Sequence, residues 1–112
     1  MELGIDIKIL LLNNNFLGMV RQWQTLFYDG RYAGTALINP DFCTIANGYQ
    51  IPNRRITEID DVRAAIVTAA SHNGPYLLEF ICDASEIILP MIPSGGGFDD
   101  MIVSQKDIGN GR

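Results

Sequence analysis

Apolar residues crowd from Ile5 to Leu12 without the alternation of a half-exposed strand, which predicts a β-strand buried on both faces and flanked by neighbours in a parallel sheet. Ahead of it, Met1-Glu2-Leu3-Gly4 reads as the tail of a helix closed by glycine, so the chain is expected to begin mid-fold. After three consecutive asparagines, Leu17 to Tyr28 has helical spacing, with Leu17, Val20, Thr25, Phe27 and Tyr28 distributed around it and Asp29-Gly30 ending it. A loop follows through Thr35. Asn39-Pro40-Asp41 then predicts a helix start, with Asn39 as cap, Pro40 at the first helical position, and Phe42, Ile45 and Ala46 facing inward.

A second short strand is expected over Asn53 to Ile56. The next helix opens at Thr57-Glu58-Ile59-Asp60 with a capping side chain and early acids that suit the dipole. Its apolar stripe is Ile59, Val62, Ile66 and Ala69, and Asn73-Gly74-Pro75 stops it. Tyr76 to Cys82, nearly all apolar, predicts a third strand. Beyond Asp83 the pattern decays into Pro90, Pro93, the Gly95 to Gly97 run, a weakly helical Phe98 to Val103 and a polar end. The order of strands and helices predicts an α/β fold: a partial parallel sheet flanked by helices and joined by right-handed crossovers.

At 112 residues the chain has room for one modest core. The hydrophobic share of 47% against 19% charged leaves more apolar surface than a domain of this size covers, which points to absent partners. A net charge of −5 without a basic cluster excludes nucleic acid and anionic membranes as partners. Cys43 and Cys82 are too few and too far apart for a disulfide framework or a zinc site. They are expected as core thiols in a reducing, cytoplasmic setting. No apolar run is long enough for a bilayer, and the N-terminus has no signal-peptide pattern.

Catalytic side chains are scarce. The single histidine, His72, sits at a helix end, where it offsets the dipole. The pairs Asp60-Asp61 and Asp99-Asp100 point apart on a helix and read as solvated surface. Gly95 to Gly97 lacks the strand and lysine of a phosphate loop and reads as a hinge. By elimination the Asn13-Asn14-Asn15 turn leads. It stands at the carboxyl end of a predicted strand, where open α/β sheets bind ligands, and its amide oxygens suit a hard cation beside a diphosphate. Asparagine also favours turns on backbone grounds alone, so residue type leaves both readings open. Met19 and Trp23 lie one helical turn apart and share a face, either as core or as pocket.

The run LNNNFLGMVRQWQTLFYDGRYAGT, followed in order by NPDF, GPYLLEF and PMIPSGG, resembles the C-terminal part of acetohydroxyacid synthase (acetolactate synthase) catalytic subunits, from Glu2 to about Val103. A pair of asparagines is a weak signal. The longer NN-x-x-LGMVRQWQ-x-LFY is specific among thiamine diphosphate enzymes. The resemblance implies that residues 1–86 form the C-terminal half of a thiamine diphosphate-binding domain and residues 87–112 a lid and tail, with Pro90 to Met101 closing over the active site. It implies a carboligase that joins pyruvate to pyruvate or 2-oxobutyrate in branched-chain amino acid synthesis, built as a homodimer or higher oligomer with a small regulatory subunit.

Carried over by position, Asn14 would give its side-chain oxygen and Phe16 its backbone carbonyl to Mg²⁺. The cofactor-binding set would be Asn14, Phe16, Gly18 and Met19, and Met19 and Trp23 would shape the substrate pocket. The family's Gly-Asp-Gly half of the metal motif, its activating glutamate and its FAD domain are not in this sequence, so none of its catalytic residues is expected here. FAD would bind outside it, and the isolated chain should bind the cofactor poorly and make no product. Gln50 and Asn53 depart from a family pattern of small residues, often glycine. Two further readings stay open: a fragment of another thiamine diphosphate-dependent 2-oxo acid enzyme, and a split-gene interaction module without activity.

Overall fold

The computed structural model describes residues 4–104; the helix tail expected at the N-terminus and the polar end fall on or beyond those limits. The elements in chain order are β1 (Lys8–Asn13), α1 (Gly18–Phe27), α2 (Phe42–Gly48), β2 (Asn53–Ile56), α3 (Ile59–Ser71) and β3 (Tyr76–Ile81), with a single 3-10 turn at Phe98–Asp100 where a weak helix to Val103 was expected. The chain divides into two compact units. One comprises the chain up to Asn15 together with Leu37–Ala84, and the other Phe16–Ala36 together with the chain from Ser85.

The first unit is an α/β layer. Its three strands are all parallel in the order β1-β3-β2, with Leu10 opposite Leu78 and Ile56 opposite Phe80. The last strand in sequence is therefore the central one. Its side chains are the buried ones: Leu78 and Phe80 pack with Ile56, Ala65 and Ala69 into one core. β1 corrects the expectation of a strand buried on both faces. It is an edge strand here, and Leu10 and Leu12 are 54% and 73% exposed. Its apolar stretch Ile9 to Leu12 has the composition of a central strand, but among the described residues β1 has a neighbour on one side only.

Helix boundaries follow the expected order with different caps. α2 is capped by Asp41, whose carboxylate accepts the Thr44 N–H at 2.9 Å, and not by Asn39, which is drawn into tertiary hydrogen bonds. From α2, Ala46 is buried and Phe42 half-buried as expected, but Ile45 is exposed. α3 begins after Glu58 without a side-chain cap; Asp60 and Asp61 in its first turn still complement the dipole. Its contact line is Val62, Ala65 and Ala69, because alanine lets the helix approach β2 and β3 closely. Ile59, 83% exposed, and Ile66 instead line an open apolar groove of about 420 Å³ with Leu10, Leu12 and Phe80.

In the second unit, α1 buries Gln22 and Leu26, while Val20 and Phe27 and the flanking Leu17 and Tyr28, spread around the helix as expected, are exposed. Gln22 pairs with the backbone of Ile88 in both directions, donating to its carbonyl at 2.9 Å and accepting its N–H at 2.7 Å. Gln24 does the same for Ala33 at 3.0 and 3.3 Å. An antiparallel bridge joins Met91 to Ile102, and the glycine run between them is a tight turn in which Gly96 donates to Pro93 O at 2.9 Å. A Cβ on Gly96 would stand 3.1 Å from that carbonyl.

Candidate functional site

The three asparagines leave β1 at the carboxyl end of the sheet, and side chains from β3 and from the loop before α2 set their geometry. Asn13 is buried, and its Oδ1 accepts the Asn15 N–H at 3.0 Å, closing an Asx-turn around Asn14. Asn15 sits in the left-handed region with φ 57°, where asparagine is tolerated better than most residues. Its carbonyl accepts the Leu37 N–H at 2.8 Å. From the loop before α2, the Asn39 amide donates to Asn13 Oδ1 at 2.9 Å and to Asn15 Oδ1 at 3.2 Å.

Beneath the turn lies Glu79, on the central strand and 1% exposed. Its Oε1 accepts from Asn13 Nδ2 at 2.8 Å and its Oε2 from Arg55 Nε at 2.7 Å. Arg55 also reaches Asp41 at 3.1 Å, so one guanidinium ties the buried carboxylate to the cap of α2. The hydrogen bond and charge of Glu79 push the Arg55 guanidinium further up. The Thr44 amide, and after it the charge of Arg55, hold the Asp41 carboxyl below its usual range. Cys43 Sγ lies 3.8 Å from Glu79 Oε2, and burial, more than its charged neighbours, pushes this thiol up. Cys43 and Cys82 are both half-buried and free, as core-lining thiols should be.

Asn14, half-buried, is the residue carried at the apex of this scaffold. In the second unit, Phe16 pairs with Ala36 in an antiparallel bridge, and its ring is covered by the Arg21 guanidinium at 4.7 Å, which also lies 4.8 Å from the Tyr32 ring. Gly18 is the first residue of α1. Met19 and Trp23, one turn apart, are 49% and 47% exposed within a helix whose buried residues are Gln22 and Leu26. Neither is a core residue of this unit. His72 stands at the end of α3 in an edge-on contact with Tyr76, 5.5 Å between ring centres, as its structural reading requires.

The sequence reading missed Glu79, Asn39, Arg55 and Asp41 as a connected set. One signal for Glu79 was present, a single acid in the otherwise apolar Tyr76–Ile81. An ionisable group buried in a strand needs a partner close by. The identity of those partners depends on which strand lies beside it, and that is a tertiary fact.

The model of the family described as "Thiamine pyrophosphate enzyme, C-terminal TPP binding domain" matches residues 1–80. The chain belongs to this family. Among its relatives, "Acetolactate synthase 1, chloroplastic" from Oryza sativa subsp. japonica and its namesake from Zea mays are each 47% identical over 117 residues, covering 97% of this chain. "Acetolactate synthase isozyme 2 large subunit" from Escherichia coli (strain K12) is 43% identical over 99 residues, 88% of this chain. The chain spans 18% of the length of each of these three relatives. No helix among the described residues is long and apolar enough to cross a membrane.

The donor types at Asn14 and Phe16, the two residues that the resemblance would give to Mg²⁺, can be compared with what a hard cation needs. A side-chain amide oxygen and a main-chain carbonyl are neutral, hard donors of the kind that Mg²⁺ accepts. The asparagine turn is also tied down at Asn13 and Asn15 before any ligand arrives. In donor chemistry the residues fit as a partial ligand set.

Proposed function

We propose that this chain supplies the diphosphate and metal half of a TPP site in an acetolactate synthase, a carboligase joining pyruvate to pyruvate or 2-oxobutyrate. Asn14 gives its side-chain oxygen and Phe16 its backbone carbonyl to Mg²⁺, Gly18 and Met19 line the cofactor, and Met19 and Trp23 shape the pocket for the second oxo acid. The observation that carries the proposal is the scaffold of buried Asn13 and Glu79 with half-buried Asn39 that holds Asn14 at the carboxyl end of β1. A turn made only to reverse the chain has no use for a buried carboxylate beneath it. Similarity to the synthases over 88–97% of this chain, 18% of their length, supports the choice of reaction.

When bound, the cofactor supplies the chemistry that breaks and makes the carbon–carbon bonds. This chain's residues bind and orient it. The segment from Pro90 to Met101 excludes water as a lid. FAD, the activating acid and the second metal ligand belong to the rest of such an enzyme, whose catalytic subunits pair with one another and with a small regulatory subunit.

A segment exchange tests the reading. The 99 matched residues of the Escherichia coli isozyme 2 large subunit are replaced by those of this chain. The expected result is acetolactate from pyruvate, dependent on added TPP and Mg²⁺, and lost in the Asn14→Ala version. The isolated chain should make none. A folded exchange protein that neither takes up TPP nor forms acetolactate refutes the proposal, and a different product from pyruvate plus 2-oxobutyrate reassigns the reaction.

A further inference from the structure

Asn13 poses a question of polarity, because a side-chain amide can present its oxygen or its nitrogen to either neighbour. On one side stand two donors, the Asn15 N–H and the Asn39 amide, 3.0 and 2.9 Å from Asn13 Oδ1. On the other stands Glu79 Oε1, 2.8 Å from Asn13 Nδ2. An ionised carboxylate only accepts, and Arg55 at 2.7 Å on Oε2 pairs with it as a cation. Glu79 thereby forces the Asn13 amino group toward itself and the Asn13 oxygen toward the turn.

We propose that Glu79 is the positioning residue of the metal-binding turn: through Asn13 it sets the donor and acceptor order that pre-forms the backbone on both sides of Asn14. This rests on the reading of Asn14 as a metal ligand. A ligand loop already in its bound conformation spares the cost of ordering when the cation arrives.

The polarity order makes the proposal testable by reversal. In Glu79→Gln the new amide must turn a donor toward either Arg55 or Asn13, so the relay is frustrated whichever way it points. Adding Asn13→Asp restores it: the glutamine amino group donates to the new carboxylate, its oxygen accepts from Arg55, and the carboxylate accepts from Asn15 and Asn39. Amide hydrogen exchange on the full chain should show Asn15 and Leu37 exchanging about tenfold faster in Glu79→Gln relative to the β3 amides, and returning to the parental rate in the double variant. Ala69→Gly, which loosens the core without touching the turn, should show no such selectivity. In the segment-exchange protein, the Mg²⁺ concentration for half-maximal TPP uptake should rise about threefold or more in Glu79→Gln and fall back in the double variant.

Uniform acceleration, absence of rescue, or an unmoved Mg²⁺ midpoint overturns the inference. If the parental exchange protein fails to take up TPP at all, the functional reading falls instead. A parental protein that binds TPP, with variants that bind it equally well, refutes only the role of Glu79.

Discussion

Replacing Gln50 by glycine should make the protein more stable. α2 ends in a reciprocal pair of backbone bonds, Gln50 N to Asn47 O at 2.9 Å and Ile51 N to Ala46 O at 2.9 Å, which is the Schellman arrangement. That closure needs a left-handed residue after the cap, and Gln50 supplies it at φ 57°. A residue with a Cβ costs roughly 1–2 kcal/mol in this conformation, and the exposed Gln50 side chain makes no hydrogen bond that offsets it. Glycine removes that cost but adds roughly 0.5–1 kcal/mol through the greater freedom of the unfolded chain. From the middle of each range the net gain is about 0.75 kcal/mol, which for a domain of this size raises the melting temperature by about 3–6 °C. Thermal unfolding followed by circular dichroism checks it, at one protein concentration because self-association also shifts the midpoint. Gln50→Ala keeps the Cβ and should give no gain. A Gln50→Gly midpoint equal to or below the parent's would refute the argument that backbone conformation decides stability at this position.

Leu78→Ala removes the most buried large aliphatic side chain of the central strand and should cost about 2–5 kcal/mol in urea unfolding; a loss under 1 kcal/mol would mean that the core is not centred on β3. Asp41, with its carboxyl held below the usual range, stabilises the fold fully above its unfolded pKa and loses that contribution as pH falls through its lower folded value. Stability should therefore drop on acidification below about pH 4, and less steeply in Asp41→Asn, which keeps the cap but not the charge; equal acid profiles would exclude Asp41 as a source. Finally, the exposed Leu10 and Leu12 on an edge strand should drive the isolated chain into oligomers, and a monomer in analytical ultracentrifugation at all concentrations would contradict this.

Local rules carried much of the fold. The β3 strand was legible from an apolar run between turn signals and α3 from its spacing of three and four, and the short strand expected at Asn53–Ile56 is β2. Where reading failed, a longer-range contact had outbid a local preference. Asn39 has the right residue type for a cap, yet two hydrogen bonds to Asn13 and Asn15 use its amide, and Asp41 takes the cap. The departure at Gln50, where relatives were expected to carry glycine, is where the backbone turns left-handed. The resemblance flagged the position, and the Schellman bonds explain it.

By itself, then, the sequence determined the element types, the parallel rhythm and the asparagine turn as the leading site, because these depend on residues within a few positions of one another. Tertiary structure alone decided that β3 lies between β1 and β2, that a lone glutamate in an apolar strand sits under Asn13, and that Arg55 pairs with both that glutamate and Asp41. The spacings of 66 between Asn13 and Glu79 and 24 between Arg55 and Glu79 lie far outside any local pattern. Strand order brings those groups together, and the need to satisfy a buried carboxylate holds them there.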